Sequence, residues 1–460
     1  PIKSSAASDV YKRQVTLATV GGVYGSFGKA QTVADAATTN RGGVTVSGIE
    51  SIEGAYLRLG GIVGFAYPGT VLSNLTNAGD MTVDLQSKFS YYAVGGIAGS
   101  VECGASSCVN EGSLRLNNNQ LLTKGMCKIF VGGIVGINYR PTDDGPHIYE
   151  DCANRAEIGF ATTDNAFKVL PSFTGGILGY TEHPVEVRNC EGAAYINVNN
   201  ANAKENGIFT ATGGIVGAVK GTAALIEKCH VTADVRHYQY NNTWDDPLSA
   251  ANGGGIVGCA LGADEVNRIA ITGCSCSGMV ESKRSGAAGI VGYARFSDIS
   301  DCGFTGGIEG SGPHFAGGIA GTLANSTIAG CTVKAKNIYG HNASSPSLIG
   351  VSGIAAYVVG VSSVSDCKAY ATLIRNSTVL GTEDASVTPD NLFGMGMIVG
   401  IDAGTTTVTN CGVGGSFYLG ASEKPQELIL TLDADSYAKG IIGSGKTATV
   451  GGCYYWNGEE

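Results

Sequence analysis

Three patterns of apolar and polar positions alternate along the chain. The first is Gly-Gly-Ile/Val-x-Gly, at Gly21–Gly25, Gly60–Gly64, Gly95–Gly99, Gly132–Gly136, Gly175–Gly179, Gly213–Gly217, Gly254–Gly258 and Gly317–Gly321. Degenerate copies begin at Ala288, Ser352, Gly396 and Lys439. These twelve copies recur about every 38 residues, inside the range of repeat architectures. The second pattern is apolar-x-x-Cys, ending at Cys152, Cys190, Cys229, Cys274, Cys302, Cys331, Cys367, Cys411 and Cys453. Cys108 joins them with Ala105 in the apolar place, and Asn74 is read as standing where the previous repeat lacks its cysteine. The residue before the cysteine is Gly, Asn or Asp in eight of ten copies. Those residue types tolerate a left-handed backbone, so a fixed corner is expected there.

The third pattern alternates with period two, as in Ser113–Leu116, Ala194–Val198 and Ala233–His237, and reads as strand. No long stretch has helical periodicity, and frequent glycine would undermine a helix. The patterns predict an all-β fold, a parallel β-solenoid (β-helix) of about twelve coils. Each coil would hold about three short strands, with Ile or Val of the first pattern and the cysteines facing inward. At about 4.8 Å per coil the rod would be about 58 Å long. Right-handed coiling follows the usual rule for parallel connections. The second glycine of each copy, as at Gly61, Gly133, Gly176, Gly214 and Gly318, is expected where neighbouring backbone crowds out a Cβ or φ is positive. Thr212, just outside the motif, is expected to tolerate replacement better.

Composition narrows the classes. Of 460 residues 71 are Gly and only 11 Pro, which excludes collagen and a Pro-rich linker. Charged residues make up 15% against 43% hydrophobic, which excludes a long disordered acidic chain. A net charge of -10 argues against a phosphate-tracking nucleic-acid surface. The longest uncharged apolar run, Leu348–Val364, is short for a bilayer and interrupted by Ser and Gly; it reads as buried strands and not as a membrane span.

Gly-Gly-Ile-Val-Gly followed by an apolar-x-x-Cys strand resembles the GLUG-motif repeats of bacterial secreted and cell-surface proteins, over residues 15–460. The resemblance implies a single adhesin-like β-solenoid, an extracellular or cell-surface location, no cofactor and no catalytic residue in the motif itself. Ser4–Gln14 resembles translated sequencing adaptor found at the ends of environmental assemblies, so residues 1–14 are expected to be artefactual or disordered. A truncated C-terminus is expected as well.

Candidate chemistry is sparse. The ten ladder cysteines are expected to be mostly free thiols, because parallel side chains on adjacent coils sit farther apart than a disulfide prefers. Cys103, Cys127, Cys259 and Cys276 lie off that register, and Cys103 is placed for a local bridge to Cys108. No zinc-type ligand spacing appears, so no metal site is assigned. Gly440–Thr447 matches the P-loop formula and Gly253–Gly258 the dinucleotide formula, yet both are solenoid repeats with no helix to follow. Asp143/Asp144, Glu150/Asp151 and Asp245/Asp246 are adjacent carboxylates that cannot face one another as a general acid and base. No Asp, Lys or Arg ladder across adjacent coils is evident.

Long insertions fall at Asn138–Tyr149, Asn199–Ile208, Arg236–Asn252 and Thr378–Phe393, and loops on a rigid scaffold are the usual place for ligand contacts. The candidate contact loop comprises Arg236, His237, Tyr238, Tyr240, Trp244, Asp245 and Asp246, aromatic faces beside hydrogen-bonding groups suited to a sugar. The expected function is a non-catalytic surface rod presenting loops to glycan or protein partners. The alternative is a polysaccharide lyase or hydrolase on the same scaffold.

Overall fold

The structure is a computed structural model that describes residues 15–27, 32–33, 37–47, 51–84, 89–118, 128–138, 145–162, 172–200, 210–239, 252–283, 286–309, 315–341, 349–376, 394–420, 430–432, 440–445 and 448–459. Among them there is no helix. The strands form four sheets of 11, 12, 12 and 21 members. All pairings are parallel except that of Leu430–Leu432 with Gly412–Gly420. This is a parallel β-solenoid.

One middle coil shows the path. Ala211–Gly213 lies in the first sheet, Val216–Lys220 in the second and Ala224–Glu227 in the third. His230–Val231 and Val235–Gln239 both join the fourth. A coil therefore carries five strands on four sheets, where the sequence suggested about three. The strand before the glycine pair is too short to show alternation, and the segment after the cysteine is broken by a bend.

Register is unbroken along the glycine motif. Gly21 pairs with Gly60, then Gly95, Gly132, Gly175, Gly213, Gly254, Ala288, Gly317, Ser352 and Gly396 in turn. Val399 pairs with Ile442, which carries the same register to the twelfth copy. The isoleucine after the second glycine is fully buried at Ile62, Ile97, Ile134, Ile177, Ile215, Ile256, Ile290, Ile319, Ile354 and Ile398. These side chains, the inward residues of the second and third sheets and the buried cysteines form the main core.

The first sheet is sandwiched. One face packs on the fourth sheet through Leu57, Leu59, Tyr92, Val94, Ile129 and Val131 against Val83, Leu116, Phe160 and Val198. The other face meets the second sheet through Phe130, Phe173 and Ala211 against Ile137, Tyr180 and Ala218. Glycine makes this layer possible. A Cβ on Gly213 would lie 2.1 Å from the Val216 carbonyl oxygen, and one on Gly217 would lie 2.3 Å from that of Gly179. The second glycine is crowded by the next coil: a Cβ on Gly214 would lie 2.2 Å from the Gly255 oxygen and 2.7 Å from Val231. Gly61, Gly133, Gly176 and Gly318 meet the equivalent oxygen at 2.0–2.2 Å. None has positive φ, so crowding, and not backbone conformation, selects glycine here.

Positive φ belongs to the corner before the cysteine. Asp151, Asn189, Asp301, Asp366 and Asn410 have φ of 52–55°, and Gly273, Gly330 and Gly452 have 63–66°. Ser107 and Lys228 adopt it too, at 52° and 51°, because the stacked corner dictates the backbone whatever residue occupies it. The structure corrects one assignment. Asn74 is itself a corner, with φ 56°, and buried Leu75 holds the cysteine's place beneath Cys108.

Two stability predictions follow from this geometry. Gly214→Val should cost about 2–4 kcal/mol through overpacking, whereas Gly159→Val, where a Cβ meets only the Glu157 carboxylate at 3.4 Å, should be near neutral; thermal unfolding of the two variants decides. Lys228→Gly should stabilise by about 1 kcal/mol by relieving the left-handed strain, outweighing the lost exposed pair with Glu227, while Lys220→Gly in a strand should destabilise.

Candidate functional site

The candidate contact residues divide on the strand Val235–Gln239. Alternation sends Arg236 and Tyr238 to the outer face of the fourth sheet and His237 into the interior. Tyr240, Trp244, Asp245 and Asp246 lie outside the described residues. Arg236 pairs in register with Glu281 of the next coil. Its Nε donates to Glu281 Oε2 at 2.8 Å and its second terminal nitrogen to Oε1 at 3.2 Å, while the Tyr238 hydroxyl donates to Oε2 at 2.9 Å. The guanidinium lies 5.4 Å from the Tyr195 ring centre and 5.0 Å from that of Tyr238. Burial opposes ionisation of Glu281, but bonds from Arg236 and Tyr238 hold its carboxyl below the usual range. Burial, reinforced by Glu281, pushes the Tyr238 hydroxyl up to about 12. The result is a fixed platform of two tyrosines around one ion pair, half-open to solvent.

His237 is not a contact residue, which corrects the sequence reading. It is fully buried against the first sheet, with Nδ1 2.7 Å from the Thr212 hydroxyl. Its Nε2 has no hydrogen-bond partner among the described residues. Burial drops its pKa to about 3. Thr212 is therefore also a core residue, 1% exposed, and replacing it would strip His237 of its bond. Its replacement is therefore expected to be costly, where the sequence suggested tolerance. Pattern reading missed this because Arg-His-Tyr-Gln looks like a polar loop, whereas a strand buries every second residue.

The cysteines form one continuous file. Cys108, Cys152, Cys190, Cys229, Cys274, Cys302, Cys331, Cys367, Cys411 and Cys453 occupy equivalent places in successive coils. All are free thiols, buried except for the partly exposed Cys453. Each bonds weakly to a backbone carbonyl two residues earlier, as Cys190 does to Arg188 at 3.2 Å. Cys103, Cys259 and Cys276 are buried free thiols as well, so Cys103 and Cys108 are not bridged. Burial pushes Cys103 and Cys276 up to about 12, which keeps them protonated and unreactive. Cys127 lies outside the described residues.

A file that pattern reading did not find runs beside the glycines. Buried Asn40, Asn77, Asn110 and Asn154 pass amide hydrogen bonds from Nδ2 to the next Oδ1 at 2.9 Å, each over one coil step. The signal was the Asn two places after the cysteine position in four successive repeats.

Charged residues also stack. Glu150, Arg188 and Glu227 share a row on adjacent coils of the third sheet, with Arg188 2.8 Å from Glu186 and 3.8 Å from Glu227. Arg268 pairs with Asp298 at 2.8 Å and Glu265 at 2.6 Å. One mixed row, Glu150–Arg188–Glu227, therefore crosses adjacent coils, and it is not a ladder of Asp, Lys or Arg. It alternates in sign, and its arginine separates Glu150 from Glu227. Asp151 serves as a corner, and Asp143/Asp144 lie outside the described residues.

Both nucleotide-like motifs are strand. Asn252–Gly254 and Val257–Leu261 span the dinucleotide-like match, and Ile442–Ser444 lies in the P-loop-like match, whose Lys446 and Thr447 lie outside the described residues. Among the described residues, no group of three or more His, Cys, Asp or Glu is placed to hold a metal, and no helix is long and apolar enough to cross a membrane. Comparison with known proteins finds no matching family model, no matching curated protein and no matching solved structure.

The buried neutral His237 fixes a pH response. Its folded pKa of about 3 lies below the ordinary 6.5, so the unfolded chain binds more protons between those values. Its contribution to stability is intact above about pH 6.5 and is lost as pH falls towards 3. Thermal unfolding at pH 7 and pH 4.5 should show His237→Gln losing less stability on acidification than the parent protein.

Proposed function

We propose that this chain is a non-catalytic, adhesin-like extracellular rod of GLUG-repeat type, from a bacterial surface or secreted protein, which presents its loops and the fourth sheet's outer face to glycan or protein partners. One observation carries the reading. Ten times the chain leaves the fourth sheet and re-enters the first at the same place in the coil, at Val46/Ser51, Asp84/Phe89, Asn118/Lys128, Thr162/Ser172, Asn200/Ala211, Gln239/Asn252, Lys283/Gly286, Glu309/Phe315, His341/Gly350 and Asn376/Met395. Three of the four long insertions fall at these crossings, so most of the variation in repeat length enters at one place in the coil. The Tyr195–Arg236–Tyr238–Glu281 platform lies on the adjoining strands and offers rigid aromatic faces beside charged hydrogen-bonding groups. Rigid scaffold with variable edge is the arrangement of a display surface.

Glycan-array binding combined with a turnover assay tests this. The chain should retain particular glycans without cleaving them, and Arg236→Ala, which removes the guanidinium that contacts both tyrosines, should weaken retention about tenfold or more. Cleavage abolished by a carboxylate substitution would replace this reading with a polysaccharide-acting enzyme.

A further inference from the structure

The contact layer between the first and second sheets changes character at its second coil, on the strands Ser51–Gly60 and Val63–Ala66. Phe130 and Ala93 lead in register to Arg58 on the first sheet, and Ile137 and Ser100 lead to Phe65 on the second. A row that is apolar in the later coils thus ends in a cation, and rings hold that cation in place. The Arg58 guanidinium lies 4.1 Å from the centre of the Phe65 ring, and its Nε donates to the Tyr91 hydroxyl at 3.2 Å. Two further rings continue the surface. Tyr56 packs on Tyr91 with centres 4.5 Å apart, and Tyr67 meets Phe65 edge-on at 4.6 Å. Phe65 and Tyr91 are buried, whereas Tyr56 is 39% and Tyr67 44% exposed.

The arginine is prepared but not used. Arg58 is half-buried, yet its two terminal nitrogens have no hydrogen-bond partner among the described residues. Phe65 against its plane and Tyr91 at Nε fix the guanidinium, which leaves a rigid fork of N–H donors. Such a fork matches the two oxygens of a carboxylate, where the ammonium of a lysine offers only a point charge. On the first coil Thr19 and Ser26 take the places of Arg58 and Phe65. Both side chains are short and Ser26 is exposed, so the cluster stays open on that side.

The surroundings suit a sugar. The exposed Tyr56 and Tyr67 rings stand at the two ends of the chain of contacts and offer apolar faces to a pyranose ring. Glu102 takes the place next to Tyr67 on the following coil and forms no ion pair with Arg58 among the described residues. Burial opposes its ionisation, and Arg58 acts in the opposite sense. Its oxygens are left to accept a sugar hydroxyl. Lys128, exposed and in register with Tyr91, adds a second positive charge beside the cluster.

We propose that Arg58, Tyr56 and Tyr67 form a second saccharide subsite, selective for sugars that carry a carboxylate, such as hexuronic or sialic acids. The proposal rests on the glycan-binding reading and adds to it a ligand class and a second face of the coil. The two sites differ in chemistry. On the fourth sheet Arg236 gives its fork to Glu281, whereas Arg58 keeps its own for a ligand.

Calorimetric titration of the full 460-residue chain with oligogalacturonate, hyaluronan oligosaccharide and sialyllactose, each beside its methyl ester, tests the proposal. At least one acid form should bind, and its ester, which keeps the sugar and loses the charge, should bind about tenfold more weakly. Arg58→Lys, which keeps the charge and loses the fork, should weaken the acid form about tenfold and leave the ester unchanged. Tyr67→Ala should weaken both forms. Arg155→Gln, an exposed arginine paired with Glu191 elsewhere, should change neither. Equal binding of acid and ester, an undiminished acid form in Arg58→Lys, or the same loss in Arg155→Gln would overturn the subsite. So would polyglutamate bound as tightly as the acid sugar, which would assign Arg58 to an acidic protein. Binding of neutral glycans with none of the acid sugars overturns this subsite alone, whereas binding of no glycan at all overturns the glycan reading with it. Circular dichroism checks folding, and should Arg58→Lys unfold, the ester comparison and the exposed Tyr67→Ala decide.

Discussion

Everything in this molecule depends on stacking each coil on its equivalent at one strand spacing. A single coil has too little interior to bury its isoleucines, and the next coil supplies the missing wall. Stacking at that spacing brings the backbone of one coil against the motif of its neighbour, and carbonyl oxygens fall where a Cβ of the Gly-Gly pair would stand. Glycine is thus a condition of stacking. The first sheet adds a second demand: it packs closely against the second, and the first and last glycines of the motif leave room for that contact.

Register then turns repeated sequence into continuous files. Isoleucine stacks on isoleucine and thiol on thiol, and in the early coils amide bonds to amide through Asn40, Asn77, Asn110 and Asn154. The files have different reasons. Asparagine in that place satisfies its own buried polar groups along the stack. From Gly192 onward the place is taken by Val231, Cys276, Phe304 and Val333, which need no such partner. The cysteine site demands only a small apolar group on the inner side of a left-handed corner, which a buried thiol satisfies.

Individuality appears where files break. The apolar row Val83, Leu116, Phe160 and Val198 between the first and fourth sheets gives way to His237, and Thr212, which follows Thr174 in its own row, supplies a hydrogen bond. At the turn between the second and third sheets, Asn138 and Thr181 replace the run of apolar partners and hold His147 and His183. Chemistry that belongs to one coil lies at these interruptions, and the repeated positions serve the scaffold.

The repeat spacing, the inward isoleucines, the cysteine file and the left-handed corner were legible in the sequence, because each is a local pattern copied about twelve times. The first-sheet strand was not, since three residues ending in glycine have no alternation to reveal it. Asn74 was placed one residue off because repeats align only when the coils are stacked. The direction of His237 and the meeting of Arg58 with Tyr91 were likewise hidden. Which side of a strand a residue occupies can be counted along the chain, but which residue of another coil lies beside it depends on insertions of unequal length. The sequence by itself determined the solenoid and its core, since burial of a repeating apolar pattern admits few arrangements. The tertiary structure alone decided which polar groups meet, because hydrogen bonds and ion pairs are short-ranged and the residues that make them lie a whole coil apart.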